Sequence, residues 1–168
     1  EVVKSKRPEG AVPFRLPDRC PECGSPIVRD EDGVAMRCTG AECPAQRLRN
    51  IVHFASREAM DIEGLGTAVA ESLISAGLLT SPAGIYYLRA EDIARLDRMG
   101  KKSAENLINA IERSKSAGLA RLLCAFGIRQ VGSKAGKVLA QHFGTLDELM
   151  PATEEELQSI PDIGAVTA

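Results

Sequence analysis

The chain has 168 residues and a formal net charge of −2, with 44% hydrophobic residues, 4% aromatics and no Trp. That is room for one ordinary domain, or for a small module beside a medium one, with a core of Leu, Ile, Val and Ala that favours packed helices. No apolar run approaches the roughly 20 residues that cross a bilayer, and the opening EVVKSKRPEG lacks a secretion signal's apolar stretch, so the chain reads as soluble and intracellular, with no membrane partner.

The chain starts at Glu rather than Met, and PDIGAVTA at its end stops inside what reads as a helix start. It is expected to be a piece of a larger protein. Residues 18–50 carry four cysteines. Cys20 and Cys23 form a C-x2-C pair, fourteen residues separate Cys23 from Cys38, and Cys38 and Cys43 form a C-x4-C pair. This spacing suits one zinc ion held tetrahedrally by four thiolates, and nothing points to the secretion that two disulfides would need. Four thiolates leave no open coordination place, so the expected role is structural. The segment SPIVRDEDGVAMR between the pairs reads as a β-hairpin turning at Asp32-Gly33, with Asp30-Glu31-Asp32 as a solvated turn. Arg19, Arg37, Arg47 and Arg49 would offset the charge of the thiolates, meet phosphate, or be plain solvated surface.

Residues 51–168 yield to self-comparison. IEGLGTAVAESL from Ile62, LDRMGKKSAENL from Leu96, IRQVGSKAGKVL from Ile128 and IPDIGAVTA from Ile160 share one pattern: apolar, two residues, apolar, Gly, three residues, small. The repeated glycines are Gly66, Gly100, Gly132 and Gly164, and the fourth copy is truncated. Each precedes a helical pattern and is expected to occupy a tight turn that needs glycine's backbone freedom. The free N–H groups of a helix start suit a phosphate and need no particular base. The other reading is close packing of two helices, with Ala70, Ala104, Gly136 and Ala168 at the crossings.

Charge separates these readings. Residues 54–95 carry three basic and six acidic side chains, residues 96–143 nine and three, and residues 144–168 none and six. The middle block is the one a polyanion would meet, through Lys101, Lys102, Arg129, Lys134 and Lys137. With Tyr86-Tyr87 the only adjacent aromatic pair, stacking on single strands is not expected, so duplex DNA gripped across the minor groove is the favoured partner. TLDE at Thr145 and TEEE at Thr153 have capping-box form, and Gly77, Gly118, Gly127 and Gly144 fall where helices should end. Cys124, His53 and His142 read as structural residues. No constellation of catalytic side chains is present.

A C-x2-C-x14-C-x4-C module followed by four helix-hairpin-helix motifs resembles the bacterial NAD-dependent DNA ligases, with HFASREAMDIEGLG, DRMGKKSAENL, FGIRQVG and IPDIG carrying the likeness. The resemblance implies a mainly α fold: the end of an oligonucleotide-binding (OB-fold) domain and linker at 1–17, a four-cysteine zinc finger with a β-hairpin at 18–50, and a helix-hairpin-helix domain at 51–168. It implies one structural zinc on Cys20, Cys23, Cys38 and Cys43, and backbone contacts to DNA at Gly64 to Gly66, Arg98 to Gly100, Gln130 to Gly132 and Asp162 to Gly164. An aspartate beside a phosphate is unfavourable, so the fourth turn is expected chiefly to complete the packing.

The family's nick sealing uses NAD and magnesium and a lysine in a K-x-D-G motif that is absent from these 168 residues. The chain is therefore expected to be inactive alone, as the DNA-binding portion of an enzyme of replication and repair. Its implied partners are nicked duplex DNA and the adenylation, OB-fold and BRCT domains of the same protein, in the bacterial cytoplasm at the nucleoid. The finger would act as a joint between barrel and helices. A stand-alone repair or recombination module and a protein-interaction scaffold are the other readings.

Overall fold

The computed structural model describes residues 3, 6–8, 10–12, 15–29, 35–40 and 43–168. It divides into two compact units, Glu1–Pro44 and Ala45–Ala168. The first contains a two-stranded antiparallel sheet, β1 (Ile27–Arg29) and β2 (Met36–Cys38), with Ile27 opposite Cys38, Val28 opposite Arg37 and Arg29 opposite Met36. An isolated bridge between Arg19 and Pro26 and a bond from Thr39 N–H to Pro26 O extend the pairing on one side. Strands this short do not hold themselves together in water, so the unit needs another source of stability. The expected turn at Asp32-Gly33 lies outside the described residues.

The second unit is helical. Its elements are α1 (Pro44–Ala55), α2 (Thr67–Ser75), a 3-10 helix (Pro82–Tyr87), α3 (Ala90–Ile93), α4 (Lys101–Ser114), α5 (Leu119–Ala125), α6 (Ser133–Phe143), α7 (Leu146–Leu149) and α8 (Glu154–Gln158). The segment α4 shows why: Ala104, Leu107, Ala110, Ile111 and Ser114 are buried at three- and four-residue spacing, while Glu105, Asn106, Asn109, Glu112 and Arg113 between them face water. Thr145 starts α7 with a complete capping box with Glu148, and Thr153 accepts from Glu156 N–H at the start of α8. Gly77, Gly118, Gly127 and Gly144 all adopt left-handed backbone angles.

Two apolar cores form. One joins Ile51 and Phe54 of α1, Leu73 of α2, Ile85, Ile93, and Leu107 and Ile111 of α4. The other joins Leu123 of α5, Leu139 and Phe143 of α6, and Val131, Ile160 and Ile163 from the turns. Leu107, Ile51, Leu73, Ile85 and Ile93 are almost fully enclosed, so truncating any of them to Ala would cost about 2–5 kcal/mol. Among the described residues, strands occur only in the first unit, and no helix is long and apolar enough to cross a membrane.

Candidate metal centre and nucleic-acid interface

The four finger cysteines converge, with their sulfurs all within 4.8 Å of one another. Cys20 and Cys43 sulfurs lie 3.9 Å apart, and those of Cys23 and Cys38 3.4 Å apart. A tetrahedral zinc with bonds of about 2.3 Å would hold its sulfurs about 3.8 Å apart, so the donor set fits one structural zinc. When bound, that ion would supply cross-linking and charge neutralisation and nothing catalytic.

Local backbone builds the cluster. Gly24, left-handed at φ 71°, turns the chain so that its N–H donates to Cys20 O while Cys20 N–H donates to Ser25 O. The Gly40 N–H points at the Cys38 sulfur at 3.3 Å. A Cβ on Gly40 would fall 2.5 Å from Ser25 Oγ and 3.0 Å from the Cys23 sulfur, so any larger residue there would force Ser25 and Cys23 to shift. Ser25 and Gly40 are site residues that cysteine spacing does not announce; their signal is position, Ser25 two residues after Cys23 and Gly40 two residues after Cys38.

The Ser25 hydroxyl, with the Ser25 backbone and the Cys38 thiol adding to it, draws the Cys23 thiol down to about 6. At Cys38 the Gly40 amide favours the thiolate, but partial burial and the neighbouring thiols outweigh it and push the group up to about 12. One negative charge is thus easy to form in the cluster and the next is not, which is the load a divalent cation relieves. Arg19 donates to Gly24 O at 3.0 Å, bracing the first pair from outside.

The four glycine turns of the second unit close alike. In each, the first apolar carbonyl accepts from the fourth residue's N–H: Ile62 from Leu65, Leu96 from Met99, Ile128 from Val131 and Ile160 from Ile163, at 3.1–3.2 Å. The third residue is left-handed, as in a type II turn: Gly64 at φ 90°, Arg98 at 62°, Gln130 at 64° and Asp162 at 70°. The departures from glycine in copies two to four therefore leave the turn unchanged.

The expectation that Gly66, Gly100, Gly132 and Gly164 need unusual backbone angles is corrected. The first three are extended, at φ −82°, −92° and −93°, and the strained position lies two residues earlier. A Cβ on any of the four would meet nothing within 4 Å. Each carbonyl accepts the first helical bond, from Ala70, Ala104, Gly136 and Ala168 respectively. Helices α2, α4 and α6 have no side-chain cap and no acidic residue in their first turn, unlike the threonine-capped, acid-led α7 and α8.

Small residues do serve packing, one turn further on. Ala70 and Ala104 are enclosed, and a Cβ on Gly136 would sit 2.7 Å from Ala120 O. Lys101 and Lys102 lie in the exposed first turn of α4, Arg129 in the exposed third hairpin turn, and Lys134 and Lys137 on the exposed side of α6. Lys134 is engaged by Asp162. Tyr86 is tied inward, edge-on to Phe54 and 3.2 Å from Ser114 Oγ, while Tyr87 is exposed.

Residues 19–45 match the NAD-dependent DNA ligase C4 zinc finger domain, residues 56–113 the SAM-like helix-hairpin-helix tandem, and residues 121–168 the helix-hairpin-helix motif. The chain belongs to the DNA ligase family that carries this zinc finger. It is 58% identical over 164 residues to a DNA ligase of Carboxydothermus hydrogenoformans, spanning 98% of this chain and 25% of that protein. It is 56% identical over 163 residues to one of Heliobacterium modesticaldum, with 97% and 24% spanned, and 54% identical over 168 residues to one of Hahella chejuensis, with 99% and 25% spanned. The chain thus spans about a quarter of the length of these relatives. The cysteine cluster and the three uncapped hairpin helices α2, α4 and α6 are the two features that a bare helical scaffold would not require.

Proposed function

We propose that this chain is the non-catalytic DNA-binding portion of an NAD-dependent ligase that seals nicks in duplex DNA during replication and repair. Residues 18–50 form its zinc finger on Cys20, Cys23, Cys38 and Cys43, residues 51–168 its helix-hairpin-helix domain, and residues 1–17 the end of a preceding OB-fold domain and linker. Gly64, Gly66, Gly100, Gly132 and Gly164 bring backbone amides to phosphates across the minor groove. Lys101, Lys102, Arg129, Lys134 and Lys137 add counterion-releasing contacts. The adenylation chemistry, with its NAD and magnesium, belongs to other domains of the full protein, which acts in the bacterial cytoplasm at the nucleoid.

The carrying observation is the glycines preceding α2, α4 and α6. No internal packing requires them, yet they leave three helix starts bare where serine or threonine would cap better. A surface kept free of side chains, with unsatisfied N–H groups behind it, accommodates an anion that approaches closely.

The test is titration of the zinc-loaded chain into labelled nicked and continuous duplexes at several salt concentrations. Salt-sensitive binding to both is the expected result. Absence of binding at low salt would overturn the proposal for these residues, and adenylate transfer by the chain would overturn its non-catalytic assignment.

A further inference from the structure

The helix α5 has two apolar sides. Leu122 and Ala125 pack with the first core, whereas Leu119 and Leu123 pack with the second. Seven residues therefore join the half that carries the first two hairpin turns to the half that carries the last two. Two polar clamps reinforce the seam. Arg121 Nε donates to Ala59 O at 2.6 Å and its Nη2 to Arg57 O at 2.5 Å, with Asp61 Oδ2 3.9 Å away. His53 Nε2 lies 2.9 Å from Cys124 O, with its ring against Gly127, where a Cβ would come within 3.3 Å of His53 Cδ2.

The two clamps grip places that lead directly into hairpins. Arg57, Ala59 and Asp61 precede Ile62, the first residue of hairpin one, and Asp61 is itself left-handed at φ 55°. Cys124 and Gly127 precede Ile128, the first residue of hairpin three. A guanidinium donates through two nitrogens in one plane to two carbonyls, and an ammonium on a flexible stem does not reproduce that fork. Leu107, Ile111 and their neighbours hold the first half together, and Leu139 and Phe143 the second, without any help from Arg121.

The geometry points to Arg121 as the positioning residue that sets the first hairpin pair against the second, so that turns from both halves meet one duplex. This rests on the proposed DNA-gripping role, but the alignment is measurable without DNA. Arg121 acts through the seam rather than by touching phosphate.

The experiment compares the zinc-loaded chain with R121K, which keeps the charge and loses the fork. Spin labels carried by an unnatural amino acid at the exposed positions Asn109 of α4 and Gln141 of α6 spare the native cysteines and report the distance between the halves. A single narrow distance in the parent and a broadened one in R121K are expected, with unchanged helix content. Should the aligned arrangement fall to about a tenth of the population, duplex affinity falls about tenfold. The salt slope stays as in the parent, because no phosphate contact is removed.

If R121K loses helix content, His53→Ala loosens the same seam from its other clamp and is expected to broaden the distance in a folded chain. A distance distribution unchanged in the folded R121K, or in His53→Ala where R121K does not fold, overturns the inference. A shallower salt slope without broadening also overturns it, since Arg121 would then be a phosphate contact. Failure of the parent to bind any duplex would count against the DNA-binding proposal, whereas the distance measurement would still decide the seam.

Discussion

Lys134 Nζ of the third hairpin's helix lies 3.0 Å from Asp162 Oδ1 in the fourth hairpin's turn. The acid stands two residues before Gly164, the place that Gly64 holds in the first turn, and its left-handed backbone matches that of the other three turns. One hairpin thus offers a carboxylate to the cation of the next, in a pair mostly open to solvent. Such pairs contribute about 0 to 1 kcal/mol to stability. Their larger effect here falls on any phosphate that seeks the same lysine.

Replacing Asp162→Asn is therefore expected to leave the melting temperature within a few degrees of the parent, as an exposed pair of this size implies. Duplex affinity should rise several-fold, and by less in a Lys134→Ala background. Asp147→Asn, on the same acidic segment, is the control for charge alone. Equal gains from Asp162→Asn and Asp147→Asn, independent of Lys134, would show that the ion pair masks nothing.

Gly100→Ser and Gly132→Ser separate fold from function. The backbone angles suit serine, and its Cβ meets nothing within 4 Å. Serine is also the better N-cap, so stability should stay level or rise by a few tenths of a kcal/mol. Duplex binding, measured by fluorescence anisotropy, should weaken as the hydroxymethyl group takes the place of the approaching phosphate. Weaker binding by a less stable chain would instead mean that the glycines serve the fold.

Gly136→Ala has the opposite signature. Its Cβ would press on Ala120 O at 2.7 Å, where α6 crosses α5, and neither backbone can retreat alone. A loss of about 1–3 kcal/mol is expected from overpacking. Urea denaturation of the parent and the variant would measure it.

Zinc binds thiolates, so protons compete with it and its affinity should rise with pH. With Cys38 held up to about 12 and Cys23 down to about 6 in the metal-free cluster, zinc binding at neutral pH must expel at least the Cys38 proton. Calorimetry in two buffers of different ionisation enthalpy should register this release. Chelation should abolish the finger's fold while the helical far-UV signal persists, because the buried residues of both apolar cores run from Ile51 onward. Joint loss of both would place the metal's influence well beyond its own unit.

Much of this was legible in one dimension. Cysteine spacing announces a metal site because a four-thiolate shell needs two close pairs, and the sulfurs do converge. The four repeats announce four hairpins because each glycine precedes a helical period, and their closing hydrogen bonds are the same. The burial of Leu107 and Ile111 on α4 follows from their three- and four-residue spacing.

What the three-dimensional structure alone decided is which atoms come close across the chain. The sequence pattern suggests that the repeated glycines relieve backbone strain, but the left-handed residue is two positions earlier and the glycines face open space. No local pattern reveals that Gly40 must admit Ser25 and Cys23, that Arg121 reaches back to the carbonyls of Arg57 and Ala59, or that Asp162 meets Lys134. Periodicity and ligand spacing are properties of neighbours along the chain, which backbone geometry makes nearly independent of the rest. Clearance, forked hydrogen bonds and cross-hairpin charge pairs depend on how segments tens of residues apart pack, and that is settled only when their apolar faces are buried together.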